Sequence, residues 1–180
     1  MRKVIVSMMT SIDNFIEGPN HNLDAFKDDD EVLNYFEDLL DSVETIMYGR
    51  RSYELMLDYW PKATGKIAEK MNEKPKIVFS RTLSSVAWNT RLILDNIQEE
   101  ISKLKKEPGK DLILYAGSEI VSVFRKLNLI DEYRLVVYPL VLGNGTPLFK
   151  DVKNGIDMKL LSTRKFNSGV VLLIYQPLST

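Results

Sequence analysis

The sequence predicts a three-layer α/β fold in which helices cover both faces of a central mixed, mostly parallel sheet closed by a C-terminal antiparallel hairpin. Three observations predict it. Through the first two thirds of the chain, short apolar runs of strand length alternate with segments of helical periodicity, the rhythm of a largely parallel sheet. The first of those runs is almost continuously apolar, as a strand buried on both faces is. The final third instead offers two strand-like segments joined by Asn167, Ser168 and Gly169, a short glycine-containing connection suited to a hairpin.

Residues 4–9 form the first strand. After a polar loop, Val32, Phe36, Leu39 and Val43 recur at helical spacing beside Leu33 and Leu40, and Asp28 with Glu31 makes a capping box. A strand over residues 45–48 runs directly into a helix that opens at Gly49 and carries Leu55, Met56, Tyr59 and Trp60 until Pro61 stops it. Residues 76–80 and 91–94 read as the next strands, and a helix through Ile97, Ile101 and Leu104 stops at Pro108 and Gly109. Residues 111–115 lead through Ala116 and Gly117 into a helix carrying Ile120, Val121, Phe124 and Leu127. Residues 133–138 form a further strand, and residues 160–166 and 170–176 the hairpin. The stretch from residue 61 to 75 reads as a polar connection too short to separate domains, so one domain is expected over residues 1–180.

Composition narrows the function. The 24 basic and 25 acidic residues leave a formal net charge of -1, so no global basic field is available to hold a nucleic acid. The chain has no cysteine, which excludes disulfides, thiolate metal sites and a cysteine nucleophile and fits a reducing cytoplasm. Acidic Asp13 and Glu17 follow the N-terminus too soon for a signal peptide, and no apolar run approaches the ~18 residues of a membrane span. A cytoplasmic protein, neither exported nor membrane-spanning, is the expectation.

In an open α/β sheet, ligands settle beyond the carboxyl ends of the strands, where the following helices expose their positive ends. Gly49, Arg50, Arg51 and Ser52 have that form, and two cations at a helix start oppose the helix dipole and so require a compensating anion such as phosphate. Gly117, Ser118, Glu119 and Ile120 open a second such helix after Ala116, with Glu119 awkwardly placed for an anion. Ser80, Arg81 and Thr82 bring two hydroxyls and a guanidinium to a third strand end. Asp13, directly after the first strand, is the candidate catalytic group: a carboxyl beside an apolar pocket can bind substrate and, with a raised pKa, donate a proton. His21 reads as a surface residue, the 28–31 acidic run as dipole compensation, and Gly143-Asn144-Gly145 as a turn; no metal is expected. Neither the G-x-G-x-x-G nor the G-x-x-x-x-G-K-[ST] fingerprint is present.

Taken in order, Ser11-Ile12-Asp13-Asn14, Gly49-Arg50-Arg51-Ser52-Tyr53-Glu54, Phe79-Ser80-Arg81 and Ala116-Gly117-Ser118 resemble the dihydrofolate reductase superfamily. Residues 129–134, Pro139-Leu140-Val141-Leu142-Gly143-Asn144-Gly145 and Pro147-Leu148-Phe149 are similar to its riboflavin-type branch, the reductase domain of the riboflavin deaminase-reductase and its stand-alone relatives. The resemblance implies an NADPH site with Arg50 and Arg81 near the 2'-phosphate, Arg51 and Ser52 near the pyrophosphate, and Ser80 and Thr82 bordering the adenosine. Gly117, Ser118 and the next helical amides would complete the pyrophosphate cradle, and Met9 and Ile16 would line the nicotinamide. It implies hydride transfer to a small carbonyl or imine, most directly a ribosylamino-pyrimidine, in a homodimeric enzyme. A reductase of pterins or other heteroaromatics and a non-catalytic nucleotide-binding protein are the rival readings. The chain departs from the family pattern in four ways. Ala116 replaces a glycine, Asn14 replaces the glycine after Asp13, residues 32–35 lack the pterin-binding carboxylate of folate reductases, and the loop Gly18-Pro19-Asn20-His21-Asn22-Leu23-Asp24 lacks the substrate-phosphate motifs of the riboflavin-pathway enzyme.

Overall fold

The computed structural model describes residues 1–27 and 29–178. The strands are β1 (Val4–Thr10), β2 (Phe15–Glu17), β3 (Val43–Gly49), β4 (Lys76–Phe79), β5 (Thr90–Ile93), β6 (Asp111–Leu114), β7 (Glu132–Val137), β8 (Thr146–Pro147), β9 (Met158–Lys165) and β10 (Val171–Pro177). The helices are α1 (Asp30–Ser42), α2 (Arg50–Tyr59), α3 (Lys66–Glu73), α4 (Ile97–Lys106) and α5 (Ser118–Lys126). One eight-stranded sheet has the order β5-β4-β3-β6-β1-β7-β10-β9. It is parallel from β5 to β7 and antiparallel at β10 and β9, as the sequence predicts.

Alternation along the strands divides the core between the two faces. Val4, Val6, Leu112 and Leu114 pack with Ile101, Leu104, Val121 and Phe124 of α4 and α5. Ile5, Ile46, Tyr48 and Ile113 pack with Leu39, Leu40, Tyr53 and Met71 of α1, α2 and α3. Both faces of β1 are therefore sealed, with Val4, Ile5 and Val6 at most 1% exposed. Each such side chain contributes about 1.5–3 kcal/mol, which explains the missing polar alternation in this strand.

The structure corrects four local expectations. The stretch from residue 61 to 75 contains α3, whose buried Ala68 and Met71 are set among lysines and glutamates. The N-cap of α1 is Asp29, whose carboxylate accepts from Val32 N at 2.8 Å; Asp28 lies outside the described residues. Val43 opens β3 instead of closing the helix. Finally, β2 and β8 form a separate antiparallel ribbon that the sequence pattern does not predict. Just beyond α3, Lys76 opens β4 and is 1% exposed. Its ammonium donates to Asn72 O at 3.1 Å and Lys74 O at 2.6 Å and lies 4.1 Å from the Trp88 ring centroid. Burial pushes its pKa down to about 8.

Candidate functional site

Strands β3 and β6 are parallel neighbours, yet α2 leaves β3 for one face of the sheet and α5 leaves β6 for the other. The chain diverges there and opens a crevice at the carboxyl ends, the place where α/β sheets bind ligands. The two helix starts meet closely: a Cβ on Gly49 would stand 3.1 Å from Ile120 Cγ2. Gly117 N donates to Ser52 Oγ at 3.0 Å. Ser52 thus clamps the second loop instead of capping its own helix, and both N-caps, Gly49 and Gly117, lack a side-chain cap. First-turn amides of both helices are left to other partners, with the positive ends of two dipoles side by side. A Cβ on Gly117, at φ -62°, would touch nothing closer than Ser52 Oγ at 3.9 Å. Neither backbone conformation nor packing demands glycine at 117, so the space it leaves is open to an incoming group. The peptide bond from Ala116 to Gly117 is trans.

Around this crevice the expected residues gather unequally. Arg50 donates through Nη1 to Thr82 Oγ1 at 2.7 Å and through Nε to Glu54 at 2.8 Å, which brings the 49–52 and 80–82 loops together. Ser80 Oγ organises its own loop, accepting from Thr82 N and Leu83 N, both at 3.1 Å. Arg81 turns to Asp95, 3.0 Å away, with its side chain largely in solvent. Arg51 lies 3.6 Å from Glu17. Glu119 is exposed and paired with Lys150 at 3.1 Å, which relieves its conflict with an anion at the helix start.

Beside the crevice lies a cleft of about 270 Å³. Ser7, Met9, Ile16, Ala116 and Gly117 border it toward the strand ends, and Phe36, Leu40, Met56, Trp60 and Met71 of the helical side close it. Met9 and Ile16 therefore share one cavity with Gly117. Two polar groups in it were not foreseen. Ser7 is 2% exposed, and its hydroxyl lies beside that of Tyr35, which also stands near Arg134. Glu17, at the end of β2, is held through Oε1 by Thr146 Oγ1 and His21 Nδ1, each at 2.6 Å. The only sequence signal for Glu17 was the alternation Phe15-Ile16-Glu17 beside a buried strand. Tyr115 also borders the cleft, and burial raises its phenol far above the ordinary range.

Asp13 sits differently from the expectation. Its carboxylate accepts from Gly143 N at 2.7 Å and Leu142 N at 3.1 Å. The Ser11 hydroxyl foremost, and then these amides, outweigh desolvation and hold its pKa below the usual carboxylate value, the reverse of the raised pKa that proton donation requires. The same two loops are joined by Ile12 N to Leu140 O at 2.9 Å and Leu148 N to Asn14 O at 3.0 Å. Asn14 takes φ +65°, a left-handed conformation that asparagine tolerates better than most residues. The 143–145 segment is the expected turn, and it is tight: a Cβ on Gly145, at φ +145°, would lie 2.0 Å from Glu17 O. Among the described residues no cluster of three potential metal ligands occurs, and no helix is long and apolar enough to cross a membrane.

Residues 2–172 match the model of the RibD C-terminal domain family. The uncharacterized Bacillus subtilis protein YyaP is 43% identical over 179 residues, covering 97% of this chain and 94% of YyaP. YwjB from the same organism, also uncharacterized, is 29% identical over 95% of this chain and 96% of its own. A protein from Shewanella sp. PV-4 assigned to riboflavin biosynthesis has the same fold, with a TM-score of 0.83 at 22% identity over 98% of this chain and 99% of its own. The Thermotoga maritima diaminohydroxyphosphoribosylaminopyrimidine deaminase/5-amino-6-(5-phosphoribosylamino)uracil reductase aligns with a TM-score of 0.71 at 13% identity, over 98% of this chain but 57% of its own length.

Proposed function

The chain belongs to the RibD C-terminal domain family, and from that premise we propose that it is an NADPH-dependent reductase of a small carbonyl or imine compound. The observation that carries the reading is the crevice where the uncapped starts of α2 and α5 meet, opening directly into an apolar cleft. When bound, NADPH supplies a hydride to the acceptor carbon, and a proton from water completes the addition of two electrons and two protons. In this reading the first-turn amides from Ser118 to Ile120, with Arg51 and Ser52, hold the pyrophosphate. Arg50 and Thr82, already bonded, receive the 2'-phosphate, and Arg81 joins them by leaving Asp95. Gly49 permits the close approach of the loops, Ser80 shapes the adenosine side, and Met9 and Ile16 set the nicotinamide against substrate.

Asp13 is read as a positioning residue: ionised and engaged by two amides, it locks the loop that carries Ile16 and Glu17. Among substrates, the phosphoribosylamino-pyrimidine of the Thermotoga enzyme is the direct family reading, but the apolar lining of the cleft favours a phosphate-free heteroaromatic. A cytoplasmic homodimer completes the proposal. The β7-β10 face opposite α1 presents Tyr133, Leu135 and Tyr175 around a second apolar hollow of about 310 Å³, a surface suited to a second copy. Calorimetric titration with NADPH and NADH tests the core of the reading. Tighter NADPH binding is expected, and failure to bind either cofactor would refute it.

A further inference from the structure

We propose that the cleft takes a flat heteroaromatic compound that carries no phosphate and presents an N–H to Glu17, which sets specificity. The inference rests on the reductase reading for its chemistry but on the cleft alone for its ligand. No lysine or arginine is among the residues that line the cavity. The cations around it have other partners: in that reading Arg51 serves the cofactor pyrophosphate and, without it, lies 3.6 Å from Glu17, and Lys70 of the helical wall pairs with Asp41 at 2.5 Å and Glu37 at 3.3 Å. A phosphorylated ribosyl group would enter a largely apolar space without a partner for its charge, against the requirement that a desolvated anion be paired.

The polar groups that are present suit another ligand. Thr146, His21 and Arg51 all approach Glu17 at Oε1, so Oε2 has no hydrogen-bond partner among the described residues. The Glu17 side chain is 18% exposed, so a ligand N–H would meet a carboxylate largely withdrawn from water. Ser7 Oγ, buried at the cleft wall, offers a second contact to a ring nitrogen or carbonyl. Phe36, Met56 and Trp60 supply the flat apolar contact between them.

The test is calorimetric titration of the whole protein with 4-aminoquinoline, a bicyclic cation with N–H donors, with quinoline as its form lacking the amino group, and with uridine 5'-monophosphate as a phosphoribosyl pyrimidine. The expected order of affinity is 4-aminoquinoline, then quinoline, with uridine 5'-monophosphate weakest. Glu17→Gln should weaken 4-aminoquinoline roughly tenfold or more and leave quinoline unchanged. Uridine 5'-monophosphate binding as tightly as 4-aminoquinoline would overturn the proposal, and this needs only the parent protein should the variant not fold. An unchanged ratio of the two quinolines in folded Glu17→Gln would overturn the role of Glu17. NADPH is titrated separately, so loss of cofactor binding with the quinoline order intact refutes the reductase reading and sustains the ligand assignment.

Discussion

Arg50 offers the sharpest test of the cofactor site, because its two possible roles predict different changes in stability and in cofactor preference. It occupies the first position of α2, where a cation meets the positive end of the helix dipole. Its ion pair with Glu54 at 2.8 Å runs with the base N-terminal to the acid, the weaker orientation for an i,i+4 pair. Such a pair is worth about 0.3–0.5 kcal/mol and the exposed hydrogen bond to Thr82 about 0.5 kcal/mol, which relief of a dipole penalty of about 0.3–1 kcal/mol largely offsets, so Arg50→Ala should leave the melting temperature nearly unchanged. A structural arginine would instead leave a less stable protein. For the cofactor, a charge-assisted phosphate contact is worth about 1.5–3 kcal/mol. Because the Arg50 side chain is 50% exposed, solvent screening discounts this to the lower end, roughly tenfold in affinity. Calorimetry should therefore show NADPH binding weakened about tenfold in Arg50→Ala with NADH binding unchanged, and added salt should erode the parent's preference. Equal loss of both cofactors, or a lower melting temperature with the NADPH to NADH ratio intact, would refute a 2'-phosphate site at Arg50.

Four other substitutions test positioning, packing and buried charge. Asp13→Asn keeps an acceptor but sets an amide N–H against a backbone N–H; turnover should fall less than tenfold with an unchanged pH profile, whereas a general acid would cost about 100-fold and remove one limb of the profile. Since the folded-state pKa of Asp13 is depressed, its stabilising contribution is present above the ordinary carboxylate value and lost in acid below it; a parent-minus-Asn stability difference that does not shrink on acidification would exclude this. Gly117→Ala should melt like the parent yet bind NADPH more weakly, while Gly145→Ala should melt well below it because its Cβ meets Glu17 O; the reverse pattern would exchange the two roles. For Lys76, with a pKa of about 8 folded against 10.5 ordinarily, the unfolded chain binds more protons between those values, so stability should rise with pH across that window. The parent-minus-Lys76→Met difference in urea unfolding should change there by at most about 3 kcal/mol, and a flat difference would contradict the buried charge.

What the sequence made legible, and what it hid, follows from the range of the interactions involved. Buried parallel strands such as β1 and β6 write their burial locally, as apolar residues on both faces, and so were read almost to the residue. The helix starts at Gly49 and Gly117 were legible for the same reason, because a strand, a glycine and a helix follow one another in the chain. Helix α3 buries mainly Ala68 and Met71 against α1, too narrow a stripe to stand out from the lysines that pair with Glu37 and Asp41. The ribbon of β2 and β8 and the two amides on Asp13 join residues about 130 positions apart, and polar turn sequences carry no record of which distant turn they meet. Glu17 belongs to this second class: only the approach of Gly145 and the hydroxyl of Thr146 place it on the cleft. Each piece of the cofactor side is thus written in contiguous chain, although contacts of Arg50 with Thr82 and of Gly117 with Ser52 assemble the pieces, whereas the substrate side is defined only by pairing between distant loops. Substitutions in the 140–148 loop should accordingly redirect substrate choice through Glu17 while the Arg50 and Gly117 side, built on different strands, keeps its cofactor.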